Sequence, residues 1–174
     1  VTEVKMVEGP LAPVSAKDGG MPGPQDIQRI LSLHNQVRAQ VKPSSGGPLP
    51  KMRWNHQLAQ SAKRHALRCK FKHSSTNKLK RVAGFTFIGE NLGAASGPPF
   101  DVVDAAKMWA QEKKNYNYKS NRCRGVCGHY TQMVWRDTTD IGCYVAVCPQ
   151  NRFEKIFVVC QYGPAGNIVG KRPY

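Results

Sequence analysis

Cys127-Gly128-His129-Tyr130-Thr131-Gln132-Met133-Val134-Trp135 opens the last third of this 174-residue sequence, and the character of the chain changes there. A histidine between a glycine and a run of hydroxyl-bearing residues starts the stretch. Tyr130 to Trp135 is dense in aromatic and branched side chains and reads as a strand. Ile141 to Val147 and Phe153 to Tyr162 have the same composition. Asp137 and Asp140 fall in the first connection and Pro149-Gln150-Asn151 in the second, so this third predicts three strands joined by short turns.

Working back from there, the periodicity turns helical. Pro24 suits a first helical turn. Ile27, Ile30, Leu31, His34, Val37 and Val41 recur at helical spacing and predict an amphipathic helix over 25–41. Pro43 and Ser44-Ser45-Gly46-Gly47-Pro48 end it. Asn55 is a good N-cap for a second helix running to about Cys69, with Leu58, Ala59, Ala62, Ala66 and Cys69 turned to the core. A third helix is predicted from Asp101, with Val102, Ala105, Ala106 and Trp109 on one stripe, ending near Asn115-Tyr116-Asn117-Tyr118. Residues 74–88 read as a loop that runs into Phe85-Thr86-Phe87-Ile88. Residues 1–24, rich in Pro and Gly, read as a flexible N-terminal extension. Helices early and strands late predict an α+β arrangement with an antiparallel sheet in one domain over 25–174.

Hydrophobic content of 40% and charged content of 21% suit a globular chain. No run of about 18 apolar residues is present to span a membrane. Val1-Thr-Glu-Val has neither the basic start nor the apolar core of a signal peptide, as expected of a mature form. The net charge of +15 is concentrated: residues 25–82 hold 13 basic side chains against one acid, Asp26. Its densest part is Lys63, Arg64, Arg68, Lys70, Lys72, Lys78, Lys80 and Arg81. Such a field attracts polyanions, either sulfated glycans or an anionic membrane surface. No zinc finger, aromatic RNA-binding strand or basic zipper is present, which argues against specific nucleic-acid recognition.

The six cysteines, 69, 123, 127, 143, 148 and 160, lack the paired spacing of a zinc ribbon. Three disulfides formed in an oxidising compartment suit them better, with the pairing open. His34 falls on the apolar stripe of the first helix and reads as a packing residue, and His56 and His65 as residues of the second helix without special duty. His73 and His129 lie in loop-like settings. Glu90, in Gly89-Glu90-Asn91-Leu92, and Glu112, three residues after Trp109, are acids in scarcely charged surroundings. Two imidazoles could bind a divalent ion while two carboxylates orient them or hold a water. No nucleophile elbow, Walker loop or dinucleotide fingerprint occurs.

The opening nonapeptide resembles the main signature of the CAP superfamily, which groups cysteine-rich secretory proteins, antigen 5 and the plant pathogenesis-related class-one proteins. Cys160-Gln161-Tyr162-Gly163-Pro164-Ala165-Gly166-Asn167-Ile168-Val169-Gly170 resembles the second signature. His34-Asn35-Gln36-Val37-Arg38 and Gly89-Glu90-Asn91-Leu92 agree as well, in family order, and Met108 to Cys127 looks closest to the plant-type branch. The resemblance implies a three-layer α-β-α sandwich with a central antiparallel sheet of three or four strands, in a secreted protein of defence or host interaction. It implies the bridges Cys69–Cys148, Cys123–Cys127 and Cys143–Cys160. It gathers His73, Glu90, Glu112 and His129 as a cavity tetrad whose two histidines can hold zinc or another divalent metal. Sterol or fatty-acid binding is implied for the loop before the main signature, with Tyr116 and Tyr118 as apolar walls. A Lys/Arg-rich insert separates His73 from Glu90, and Lys171-Arg172-Pro173-Tyr174 resembles the end of a peptide that plant relatives release, with Gly163 where those have Asp. The expected function is non-enzymatic binding. The alternative is a metal-dependent hydrolase on the tetrad, which lacks the third strong protein ligand such zinc sites have.

Overall fold

A computed structural model describes residues 19–174; the proposed leader lies largely outside them. Among the described residues are four α-helices, α1 (Pro24–Ala39), α2 (His56–Ala66), α3 (Val102–Gln111) and α4 (Gly128–Met133). The strands are β1 (Arg53–Trp54), β2 (Lys80–Val82), β3 (Phe85–Phe87), β4 (Gly89–Ala95), β5 (Tyr116–Asn117), β6 (Arg122–Cys123), β7 (Asp140–Val147) and β8 (Ile156–Gly163). The main sheet has the order β1-β7-β8-β4, and β2–β3 and β5–β6 form small separate hairpins.

β7 and β8 pair antiparallel along their whole length, and β8 pairs with β4 in the same sense. The two-residue β1 instead runs parallel to β7, which makes the sheet mixed at that edge. Side chains of β7 and β8 alternate between two cores. Ile141, Cys143, Val145, Ile156, Val158, Cys160 and Tyr162 join α1 and α3 on one face. Tyr144, Ala146, Phe157 and Val159 join Ala62 and Ala66 of α2 on the other. With both faces covered, these strands read as unbroken apolar runs. The layers are therefore α2, sheet, and α1 with α3 and α4, an α-β-α sandwich.

The helix starts have local causes. Pro24 occupies the first turn of α1. The Asn55 side chain accepts from the Leu58 amide at 3.1 Å. Asp101 and Asp104 close a reciprocal capping box on α3. Gly142 lets α2 lie directly on β7, because a Cβ there would collide with the Ala59 amide. Leu58, Ala59, Ala62 and Ala66 are fully buried as expected. All three bridges form with the pairing the resemblance implies, and Cys143 faces Cys160 across the β7–β8 ladder.

Two expectations are overturned. Tyr130 to Trp135 is not a strand; its first four residues complete the short helix α4. Tyr130, Met133 and Val134 are buried at the i, i+3, i+4 spacing of a helix, and that packing overrides the strand propensity of the same residues. The third strand beside β8 is β4, whose Gly, Glu, Asn and Ala carry no strand signal. It forms because all seven of its residues pair with β8. The 74–88 stretch, expected as a loop, contains a 3₁₀ turn over Thr76–Leu79 and the β2–β3 hairpin, so the basic insert is structured.

Candidate functional site

The site is built on the sheet edge strand β4. Glu90 shares a face of β4 with Leu92, the face covered by α2. Its side chain is 1% exposed. One oxygen accepts from His73 Nδ1 at 3.0 Å and the Ser74 amide at 2.8 Å. The other accepts from Ser74 Oγ at 2.7 Å and Gln161 Nε2 at 2.9 Å. Burial pushes this carboxyl up, but the hydrogen bonds from His73, Ser74 and Gln161 outweigh it and hold it at about 2. The same contact with Glu90 raises the pKa of His73 against partial burial.

Glu112 does the equivalent work on the far side of β4. It stands in the 3₁₀ turn Glu112–Asn115 that follows α3. Its Oε2 accepts from His129 Nδ1 at 2.7 Å, and its Oε1 accepts from the His129 and Tyr130 amides at 3.1 Å each. Those amides are in the first turn of α4, where no intrahelical acceptor exists, so one carboxylate both caps the helix and aims its histidine. The Trp109 ring stacks on His129, with centroids 5.9 Å apart and planes 12° from parallel. Its indole N–H donates to the Leu92 carbonyl at 3.0 Å.

Consecutive residues of β4 thus anchor both halves. Glu90 holds His73 from the α2 side. Asn91 points to the opposite face, where its amide donates to the His129 carbonyl at 3.1 Å and contacts Tyr162 Oη at 3.3 Å. His73 and His129 flank the sheet edge from its two faces, with side chains 60% and 28% exposed. A carboxylate only accepts, so each Nδ1 carries a proton, and in the neutral ring each Nε2 presents a lone pair. That is the tautomer of a metal-ligating histidine with its orienting carboxylate. No cluster of three or more ligating side chains exists among the described residues. The donor set is therefore two imidazoles, with the carboxylates engaged in holding them.

All four tetrad residues thus stand around one strand. Ser74, Gln161, Asn91 and Trp109 complete the arrangement and were not assigned to the site from sequence. Asn91 left a signal through its place in the Gly89 to Leu92 motif. The two tyrosines separate. Tyr116 lines a groove of about 540 Å³ with Val126, Trp135 and Ile168. Tyr118 does not line that groove; it stacks on Tyr174 at 4.7 Å, and its hydroxyl donates to the Tyr174 carbonyl. Of the basic residues, Arg64, Arg68, Lys70, Lys72, Lys78, Lys80 and Arg81 are exposed, and Lys63 is half-buried over the Tyr144 ring. His73 lies within their stretch. His34 is fully buried between the Ile30 carbonyl and Tyr162 Oη, the packing role expected of it.

A three-layer sandwich with a histidine–glutamate pair on each side of its edge strand defines a class of protein, and comparison identifies it. Residues 31–162 match the model of the CAP, cysteine-rich secretory protein family, and the chain belongs to that family. Glioma pathogenesis-related protein 1 of Mus musculus is 40% identical over 81% of this chain; the chain spans 53% of that relative's length. Pathogenesis-related protein 1 of Arabidopsis thaliana is 38% identical over 98% of this chain and 92% of its own. Among solved structures, NaASP2 with Zn²⁺ is 32% identical with a TM-score of 0.64, covering 89% of this chain and 87% of that one. No helix among the described residues is long and apolar enough to cross a membrane.

Proposed function

We propose that this chain is a secreted, non-enzymatic binding protein that holds a divalent metal ion, zinc by preference, at Nε2 of His73 and of His129. The observation that supports this most is the matched pair of carboxylate–imidazole bonds, which give both rings the metal-binding tautomer. A metal held there would act as a Lewis acid whose remaining positions water fills. The related structure solved with Zn²⁺ supports the choice of ion. Secretion is supported by the three disulfides and by the family.

The residues argue against the alternative of a hydrolase. Glu90 accepts four hydrogen bonds, which leaves it no lone pair to take a proton from water, and Glu112 accepts three, which tie it to His129 and the first amides of α4. Two imidazoles also fall short of the three protein ligands of hydrolytic zinc sites. Two further contacts complete the reading. The exposed basic residues between 63 and 81 dock the protein on a polyanion, a sulfated glycan or an anionic membrane. The groove beside Tyr116, within the size range of small-ligand sites, takes a sterol or fatty acid.

Native mass spectrometry of the secreted protein, with lipid extraction, tests these together. One zinc per chain is expected, lost in His73→Ala and in His129→Ala, with a sterol or fatty acid that Tyr116→Ala releases. Zinc uptake indifferent to both histidine variants would overturn the metal reading.

A further inference from the structure

A second cavity lies behind Glu90, on the α2 side of the sheet. Its volume is about 250 Å³, and it is lined by Ser61, Arg64, His65, Ser74, Lys78 and Gln161. His65 and Gln161 are 4% and 1% exposed, yet His65 Nδ1 and Gln161 Oε1 have no hydrogen-bond partner among the described residues. Their chemical character follows from what their other ends do. His65 Nε2 lies 2.6 Å from the Lys72 carbonyl, which can only accept, so Nε2 carries a proton, and in the neutral ring Nδ1 is an acceptor. Gln161 gives its N–H to Glu90, which leaves its carbonyl oxygen as the other acceptor. Ser74 Oγ also spends its proton on Glu90 and has lone pairs to offer. Both orphaned buried atoms are therefore acceptors, and the one hydroxyl proton of the buried lining not given to Glu90 is that of Ser61. The exposed lining is the reverse: no carboxylate pairs with Arg64 or Lys78 among the described residues.

A ligand that satisfies both halves donates hydrogen bonds at one end and carries negative charge at the other. A bare sulfate has no donor for His65 and Gln161. A neutral sugar leaves the two cations unmatched. We infer that this cavity seats a single hydroxylated anionic unit, a sulfated sugar, with its hydroxyls on His65 Nδ1 and Gln161 Oε1 and its sulfate on Arg64 and Lys78. Buried acceptors left unpaired are costly, and an arginine meets a sulfate with two parallel donors. The remaining basic residues, Lys63, Arg68, Lys70, Lys72, Lys80 and Arg81, extend on either side in sequence and suit a longer sulfated glycan rather than a free monosaccharide. This inference rests on the polyanion-docking reading and assigns it a specific seat; it is independent of the metal.

Calorimetric titration at about 150 mM salt, where weak surface electrostatics are screened, tests it. The probes are a heparin-derived disaccharide bearing a 6-sulfate, its desulfated form, inorganic sulfate, and a longer heparin fragment. The sulfated disaccharide is expected to bind at least about tenfold tighter than either inorganic sulfate or the desulfated sugar. Arg64→Gln and Lys78→Gln, both at exposed positions, are expected to weaken it several-fold. Ser61→Val, which fills the cavity, is expected to abolish disaccharide binding while zinc uptake stays intact. Equal affinity for inorganic sulfate, or disaccharide binding indifferent to both the cavity-filling and the exposed variants, overturns the inference. If heparin still binds in that event, the docking reading stands without the cavity; if wild-type protein binds no heparin at all, both fail.

Discussion

Arg38 is 1% exposed and meets no carboxylate among its bonded partners. Its guanidinium donates instead to the carbonyls of Pro50, Met133, Trp135, Arg136 and Thr138. Those five contacts use its whole donor set and tie α1 to the chain leaving α4. Burial lowers its pKa to about 10, so it remains charged at neutral pH. Asn35, one turn earlier, holds the Met52 amide and carbonyl in the same manner. The His34 to Arg38 motif is thus a structural clamp, although from sequence Asn35 and Arg38 served only as family markers. Arg38→Met is expected to cost on the order of 3–5 kcal/mol in denaturant unfolding, because it strands several buried carbonyls. Arg38→Lys should recover little of that, since an ammonium has three donors and no planar fork.

At the scale of elements, α4 turns on Glu112. Six residues make a weak helix on propensity alone, and its first amides depend on this carboxylate from another element. Glu112→Gln keeps an oxygen for the two amides but brings an N–H to His129 Nδ1, which must then accept, and the proton moves to Nε2. Stability should change by less than about 1 kcal/mol, while zinc affinity falls roughly 10–100-fold. Nitrogen chemical shifts of the His129 ring would report the tautomer. Glu112→Ala should speed amide exchange at His129 and Tyr130 as well. This dependence also explains which elements were legible. α1, α2 and α3 carry their own periodicity and caps, and their sequence-based bounds hold within about three residues at most ends. α4 and β4 take their conformation from Glu112 and from β8, contacts that reach across 17 and about 70 residues. Tetrad residues stood out as charged or imidazole groups in quiet surroundings. Ser74, Gln161 and Trp109 did not, because hydroxyl, amide and indole groups acquire their role only when the β4 edge brings Glu90 and His129 to them.

Across the whole molecule, the sandwich encloses an ionisable group at its centre. His34 is completely buried between α1 and β8, bonded to the Ile30 carbonyl and to Tyr162 Oη. Burial depresses its pKa to about 4, with the Arg38 charge adding to the effect against the Ile30 hydrogen bond. The unfolded chain therefore binds a proton at this position between pH 6.5 and 4 that the folded chain does not. Stability rises with pH wherever the unfolded state holds more protons. The contribution of His34 is thus fully present above pH 6.5 and is lost as pH falls to about 4, for a total of roughly 3 kcal/mol. Glu90, held at about 2, loses its contribution only below the ordinary glutamate range, so the two windows barely overlap. Urea unfolding of metal-free protein between pH 7 and 4.5 should show the midpoint falling steadily. His34→Gln, which keeps an amide between Ile30 and Tyr162, should lower stability at pH 7 but flatten that slope. An unchanged slope in the variant would move the acid sensitivity away from the centre of the fold and onto its charged surface.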